Sequence, residues 1–161
     1  MVTGLDTSDE TFFQLTLSEE ELEIPLYQRY YKWKPDLIRP LWSDLFEVAR
    51  TEVKHPILFL GPMVLHDEEI GGDEPTYLVD GQQRLVTLSL FVTETLHRLR
   101  EFDKTHPRSK KMGGVVNNLG MFLFQNIGED FVEDDLDPLD LRFKLHRRDR
   151  SLFEEFVKHH T

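Results

Sequence analysis

The sequence predicts an α+β domain, a small sheet flanked by helices with a helical extension, on three observations. Ile57–Leu65 (ILFLGPMVL) is nearly all apolar and too short for an independent helix, so it is expected to be a buried strand, bent or bulged at Gly61-Pro62. Thr76–Val79 is a second strand; it ends at Asp80-Gly81 and gives way to a long amphipathic segment from Gln82 to about Phe102. Leu139–Leu145 (LDLRFKL) alternates apolar and polar residues, the pattern of a half-buried strand.

The remaining elements follow in chain order. Residues 12–18 (FFQLTLS) form a short helix or strand behind an acidic N-terminal segment, 1–22, and the folded domain is expected over 23–161. Glu23–Leu26 is extended, because Pro25 pushes Ile24 out of the helical region. Tyr27–Trp33 is an aromatic and basic loop. Asp36 is the expected N-cap of a helix to about Val53, in which Pro40 fits only near the first turn and Leu41, Leu45, Val48 and Ala49 supply the apolar stripe. Leu85, Leu88, Val92, Leu96 and Leu99 form the buried stripe of the long helix, and His106-Pro107 ends it. A further helix lies within Val115–Gln125. Asp149 caps a last helix with Leu152, Phe153 and Phe156 on its covered side. That helix reaches the end of the chain without a C-cap, as expected of the N-terminal part of a longer protein.

Composition narrows the function classes. The chain has 161 residues, 39% hydrophobic and 11% aromatic, enough for a core. It lacks cysteine, which excludes disulfides, thiolate metal sites and a cysteine nucleophile. No apolar run approaches the ~20 residues of a membrane-spanning helix, and the acidic start is unlike a signal peptide, so a cytoplasmic location is expected. The net charge of −11 argues against a generally polybasic nucleic-acid binder. It also conceals a segregation: residues 1–23, 66–75 and 128–140 hold 19 of the 30 acids and no Lys or Arg. The rest holds all 19 bases and 11 acids, which suits either a solvated acidic surface or a basic face for a phosphate-bearing ligand.

Two segments carry candidate chemistry. In Tyr77–Leu85 (YLVDGQQRL) the strand stops at Asp80, Gly81 permits a tight turn, and the following helix start offers unpaired N–H groups that favour an anion. Gln82 and Gln83 add neutral donors, and Arg84 adds a fork suited to phosphate. The plain alternative is an Asp cap followed by a surface arginine. In Ile24–Trp33 (IPLYQRYYKW), Tyr27, Tyr30, Tyr31 and Trp33 interleave with Arg29 and Lys32, a composition that binds phosphate and stacks on bases, or merely covers the core edge. A further basic set, Arg142, Lys144, His146, Arg147, Arg148 and Arg150, contacts DNA or solvates a sheet edge.

Together "IPLYQRYYKW", "FLGPMVL", "YLVDGQQRLVTLSLF" and "LRFKLHRRDRSLFEEF" resemble the GmrSD-type family over roughly residues 22–160. Members carry an N-terminal domain with a DGQQR motif and a small mixed sheet of ParB/sulfiredoxin type; SspE-like phage-defence proteins share that domain type. Tyr30 departs from the family's commoner form, which has proline there. Sulfiredoxin chemistry is excluded, since it needs a cysteine. The resemblance implies nucleoside triphosphate binding and hydrolysis with Mg²⁺ in a restriction system sensing modified DNA, such as phosphorothioate DNA. The nuclease domain would lie elsewhere in the full-length protein or on a partner chain. Carried over residue by residue, the catalytic set is Asp80, Gln82, Gln83 and Arg84, and the nucleotide set is Gln28, Arg29, Gly81 and Arg84. Gln82 or Gln83 would orient water, Asp80 would hold Mg²⁺ or position the turn, and Tyr27 would pack. DNA and its modification would meet Tyr30, Tyr31, Lys32, Trp33, Arg142 and Arg147. A nucleotide-dependent switch with little hydrolysis, and a DNA-modification reader with a degenerate pocket, are the competing functions.

Overall fold

A computed structural model describes residues 6–17, 22–67, 75–105, 110–124, 141–145 and 147–160. The described elements, in chain order, are α1 (Phe12–Leu17), β1 (Leu22–Glu23), α2 (Pro35–Arg50), β2 (Val64–Asp67), β3 (Thr76–Asp80), α3 (Gln82–Thr105), α4 (Lys110–Leu123), β4 (Phe143–Lys144) and α5 (Arg147–His160). The expected α+β class is the observed one. The sheet is mixed, in the order β2-β3-β1-β4, with β1 parallel to both β3 and β4, and β2 antiparallel to β3.

Alternation along the strands decides which face is covered. Leu22, Ile24, Leu78, Phe143 and Leu145 are buried and point to one side of the sheet. There they meet Leu85 and Leu96 of α3, Val116, Phe122 and Leu123 of α4, and Phe153 and Val157 of α5. Within α3 the buried hydroxyls of Thr87, Ser89 and Thr93 each donate to the carbonyl four residues back, so they enter the core satisfied. α1 opens on a reciprocal cap: Thr11 N donates to Gln14 Oε1 and Gln14 N donates to Thr11 Oγ1. Its Phe12 ring lies 5.0 Å from Phe122, so packing begins N-terminal of residue 23. Among the described residues, no helix is long and apolar enough to cross a membrane.

Four local expectations are corrected. First, only Val64–Asp67 of the apolar run forms a strand, and Ile57 and Phe59 are 91% and 83% exposed. Val64 pairs with Asp80, the last residue of β3, so residues before Val64 run past the end of their partner and have no ladder to join. The irregularity also lies elsewhere: Val64 faces Asp80 while Leu65 faces Leu78, which leaves Val79 as an extra residue in β3. Second, α2 begins one residue before Asp36, with Pro35 in its first turn, Lys34 at the cap without a side-chain bond, and Pro40 inside the helix. Its stripe is only half-covered: Leu41, Leu45 and Val48 are partly buried, Ala49 is exposed, and α2 buries no residue fully. Third, α5 begins two residues before Asp149, which therefore lies in its first turn and does not cap it. Fourth, Leu152 is exposed, while Phe153 and Val157 make the covered side. The expected strand is confined to Phe143–Lys144, with Leu141 bridging to Phe124; Leu139 and the acidic 128–140 stretch lie outside the described residues.

Candidate functional site

The chemistry-bearing residues gather where β3 turns into α3. Gly81 adopts φ 101, a conformation that an L side chain rarely takes, and a Cβ there would lie 2.7 Å from Met63 Cγ. Its carbonyl accepts the first helical bond from Leu85 N at 3.0 Å, which makes Gly81 the cap position and leaves Asp80 outside the helix. The first turn of α3 contains no acid and includes Arg84. A cation at a helix N-terminus opposes the helix dipole by about 0.3–1 kcal/mol, so a negative group is needed to compensate it. Asp80 supplies one, with Oδ2 3.7 Å from Arg84 Nη2 and its side chain largely open to solvent. Arg84 Nη1 donates to Leu60 O at 2.8 Å.

The aromatic and basic loop, about fifty residues earlier in sequence, is fastened to this turn through side-chain amides. Gln82 Nε2 donates to Arg29 O at 2.6 Å. Gln83 Nε2 donates to Tyr30 O, and its Oε1 accepts Lys32 N at 2.7 Å and Trp33 N at 3.2 Å. Gln28 Nε2 donates to Val79 O at 2.7 Å, satisfying the carbonyl of the bulged residue. Both glutamines of the turn are buried, and their side-chain amides bond the loop backbone. The role the geometry gives them is to position the loop.

The loop sorts its side chains by direction. Tyr31 turns inward: its hydroxyl is 2.9 Å from Thr87 Oγ1, and its N–H donates to Asp149 Oδ2 at 2.7 Å. Tyr31 is packed against the core, which removes it from the expected DNA-facing set. Tyr27, expected to pack, is 74% exposed. Arg29, Tyr30 and Lys32 are exposed, and Trp33 is half-buried. Thr87, which the sequence reading did not single out, and Asp149, expected there only as a helix cap, both hold Tyr31. The one available signal was Thr87, a hydroxyl four residues after Gln83 on the covered side of a helix.

Of the C-terminal basic set, Arg142 and Arg150 are bonded to separate backbone carbonyls. Arg142 Nε donates to Met121 O, and burial pulls its guanidinium below the usual arginine value. Arg150 Nε donates to Leu145 O at 3.1 Å. Lys144 is exposed; His146 and the side chains of Arg147 and Arg148 lie outside the described residues. Among the described residues, no group of three or more histidine or carboxylate side chains is placed to hold a metal ion.

Comparison with known proteins adds the family. No curated protein matches the chain at a significant level. The family described as "GmrSD restriction endonuclease, N-terminal domain" matches residues 11–160, nearly the whole chain and every described element. The junction assembled from residues 28–33 and 79–84 lies wholly inside that match, and the chain belongs to the family of GmrSD restriction endonuclease N-terminal domains.

Proposed function

We propose that the chain is the sensor module of a cytoplasmic, modification-dependent restriction system acting against phage. It takes a nucleoside triphosphate at Asp80–Arg84 and hydrolyses it, and the adjoining loop reads modified DNA, phosphorothioate DNA being the leading candidate. The observation that carries this reading is Arg84 in an acid-free first turn, with the backbone of Arg29 held against Gln82 in the same turn. Arg84 thus starts from the helix N-terminus and the backbone of Arg29 lies beside it, an arrangement suited to phosphate oxygens and to charge developing on a transferred phosphoryl group. The ParB/sulfiredoxin likeness of the sheet belongs to the same reading. A partner nuclease domain, in the same full-length protein or in another chain, would act on the DNA.

The donor set fits Mg²⁺ only as an ion brought with the nucleotide. Asp80 is a solvent-open carboxylate at the junction, and Mg²⁺ commonly combines one or two carboxylates with phosphate oxygens. Bound that way, the ion would neutralise phosphate charge.

Phosphate release with Mg²⁺ tests the proposal. Arg84→Ala should lower the rate by about a hundredfold or more while the unfolding midpoint changes little. A variant that releases phosphate at the parent rate overturns the site. One observation favours a second reading, a nucleotide-dependent switch with slow turnover: the amides of Gln82 and Gln83 are engaged by backbone and are not aimed at a water. Nucleotide binding without steady phosphate release would select it.

A further inference from the structure

The segment between α2 and β2 meets the Asp80–Arg84 turn at Gly81 and Arg84. Val64 is paired with Asp80. One residue earlier, Met63 packs on Gly81 so closely that a Cβ on that glycine would lie 2.7 Å from Met63 Cγ. Leu60 then presents its carbonyl to Arg84 Nη1 at 2.8 Å. Gly61, at φ 90, lets the backbone come so near that a Cβ there would lie 2.6 Å from the same nitrogen. A carbonyl oxygen therefore stands on Arg84 where a phosphate oxygen would stand, and a methionine covers the glycine turn. Yet the strap is weakly held for its composition, with Ile57 and Phe59 facing solvent.

From this geometry we infer that residues 57–63 are an autoinhibitory strap over the nucleotide site, with Leu60 O as a surrogate for a phosphate oxygen. The inference rests on the nucleotide reading of Arg84. A triphosphate that engages Arg84 competes with Leu60 O and lifts the strap, so nucleotide occupancy is converted into a new position for Ile57 and Phe59. The irregular backbone before Val64 has no ladder bonds to lose when it moves.

The absence of cysteine permits clean labelling. Phe59→Cys on the strap and Thr95→Cys on α3, both at exposed positions, take a pair of spin labels for distance measurement. GTP or ATP with Mg²⁺ should shift the distance on the order of 5 Å, about one strand spacing, and equilibrium dialysis on the same samples reports binding. Gly61→Ala, strained in its backbone at φ 90 and with a Cβ 2.6 Å from Arg84 Nη1, should show the shifted distance without nucleotide and bind nucleotide about tenfold tighter, as for a competent state populated at roughly a tenth in the parent. Met63→Ala uncovers Gly81 from the other side and should also tighten binding if Gly61→Ala fails to fold. Nucleotide bound with an unmoved strap overturns the inference and leaves the nucleotide reading standing. Unchanged or weaker binding in the folded variants overturns it too. Failure of the parent and the variants alike to bind either nucleotide overturns both readings. A variant that binds where the parent does not is the strongest support for the strap.

Discussion

The loop Leu26–Trp33 and the strap 57–63 are both irregular, both rich in apolar side chains, and both border the first turn of α3. The loop is fastened at Arg29 O, Tyr30 O, Tyr31 N, Lys32 N and Trp33 N by three side chains from α3 and α5. The strap is met by Arg84 at one carbonyl and by the packing of Met63. Apolar content does not explain the difference. A side-chain amide offers the same donor and acceptor as a peptide group, so Gln82 and Gln83 complete a loop that has no strand to pair with. The strap had a strand to pair with and runs beyond its end.

The platform shared by both segments gives the largest expected effect. Leu78 is fully buried at the centre of β3, and Leu78→Ala should destabilise the domain by about 3 kcal/mol, read as a lower urea midpoint at an unchanged slope. A loss below about 1 kcal/mol would mean that the sheet is not the base on which the junction stands.

Gln83→Ala separates the loop from that base. It removes one donor and one acceptor that serve three backbone groups, and the burial of Gln83 limits their replacement by water. The expected cost is about 2 kcal/mol, with disordering confined to residues 29–33. Hydrogen exchange should rise at Lys32 and Trp33; protection that persists there would show that the aromatic packing alone holds the loop.

Much of the junction was legible before any coordinates. The apolar run ending at Asp80 predicted the strand, and Gly81 predicted the turn that its φ of 101 confirms. Pro25 predicted the extended entry to the loop. Other features depend on which segments meet in space. A sequence cannot say that β3 ends opposite Val64, so Ile57–Leu65 carried the whole pattern of a buried strand. The glutamine amides find their partners on a segment fifty residues away, and no local pattern announces that. Tyr27 and Tyr31 have the same chemistry and opposite directions, because Thr87 and Asp149 lie on one side of the loop only. Asp149 looked like a cap because aspartate favours helix starts; its helix begins earlier, and its carboxylate holds Tyr31 N.

That carboxylate gives the third test. Asp149→Ala removes a charged acceptor from the middle of the loop and a favourable negative charge from the first turn of α5, for a loss of about 1–2 kcal/mol. Asp149→Asn keeps an acceptor oxygen and should lose less than half as much. Equal losses in the two variants would place the effect in the charge at the helix start and not in the bond to Tyr31.

The smallest expected effect lies on the strap, and its smallness is the point. A side chain that stays mostly in water when folded has little transfer free energy to lose, so Phe59→Ser should shift stability by no more than about 0.5 kcal/mol, against about 3 kcal/mol for Leu78→Ala. The same reasoning makes a strong sign prediction for the nucleotide-bound chain. If the lifted strap lays Phe59 against an apolar surface, such as the uncovered side of α2 where Trp42 and Phe46 are exposed, burial begins to matter only then. Phe59→Ser would in that case leave the free chain's unfolding midpoint unchanged and weaken nucleotide binding. A serine variant that lowers the stability of the free chain by several kcal/mol would show that Phe59 is already buried in solution, and the contrast between fastened loop and loose strap would fail at its loose end.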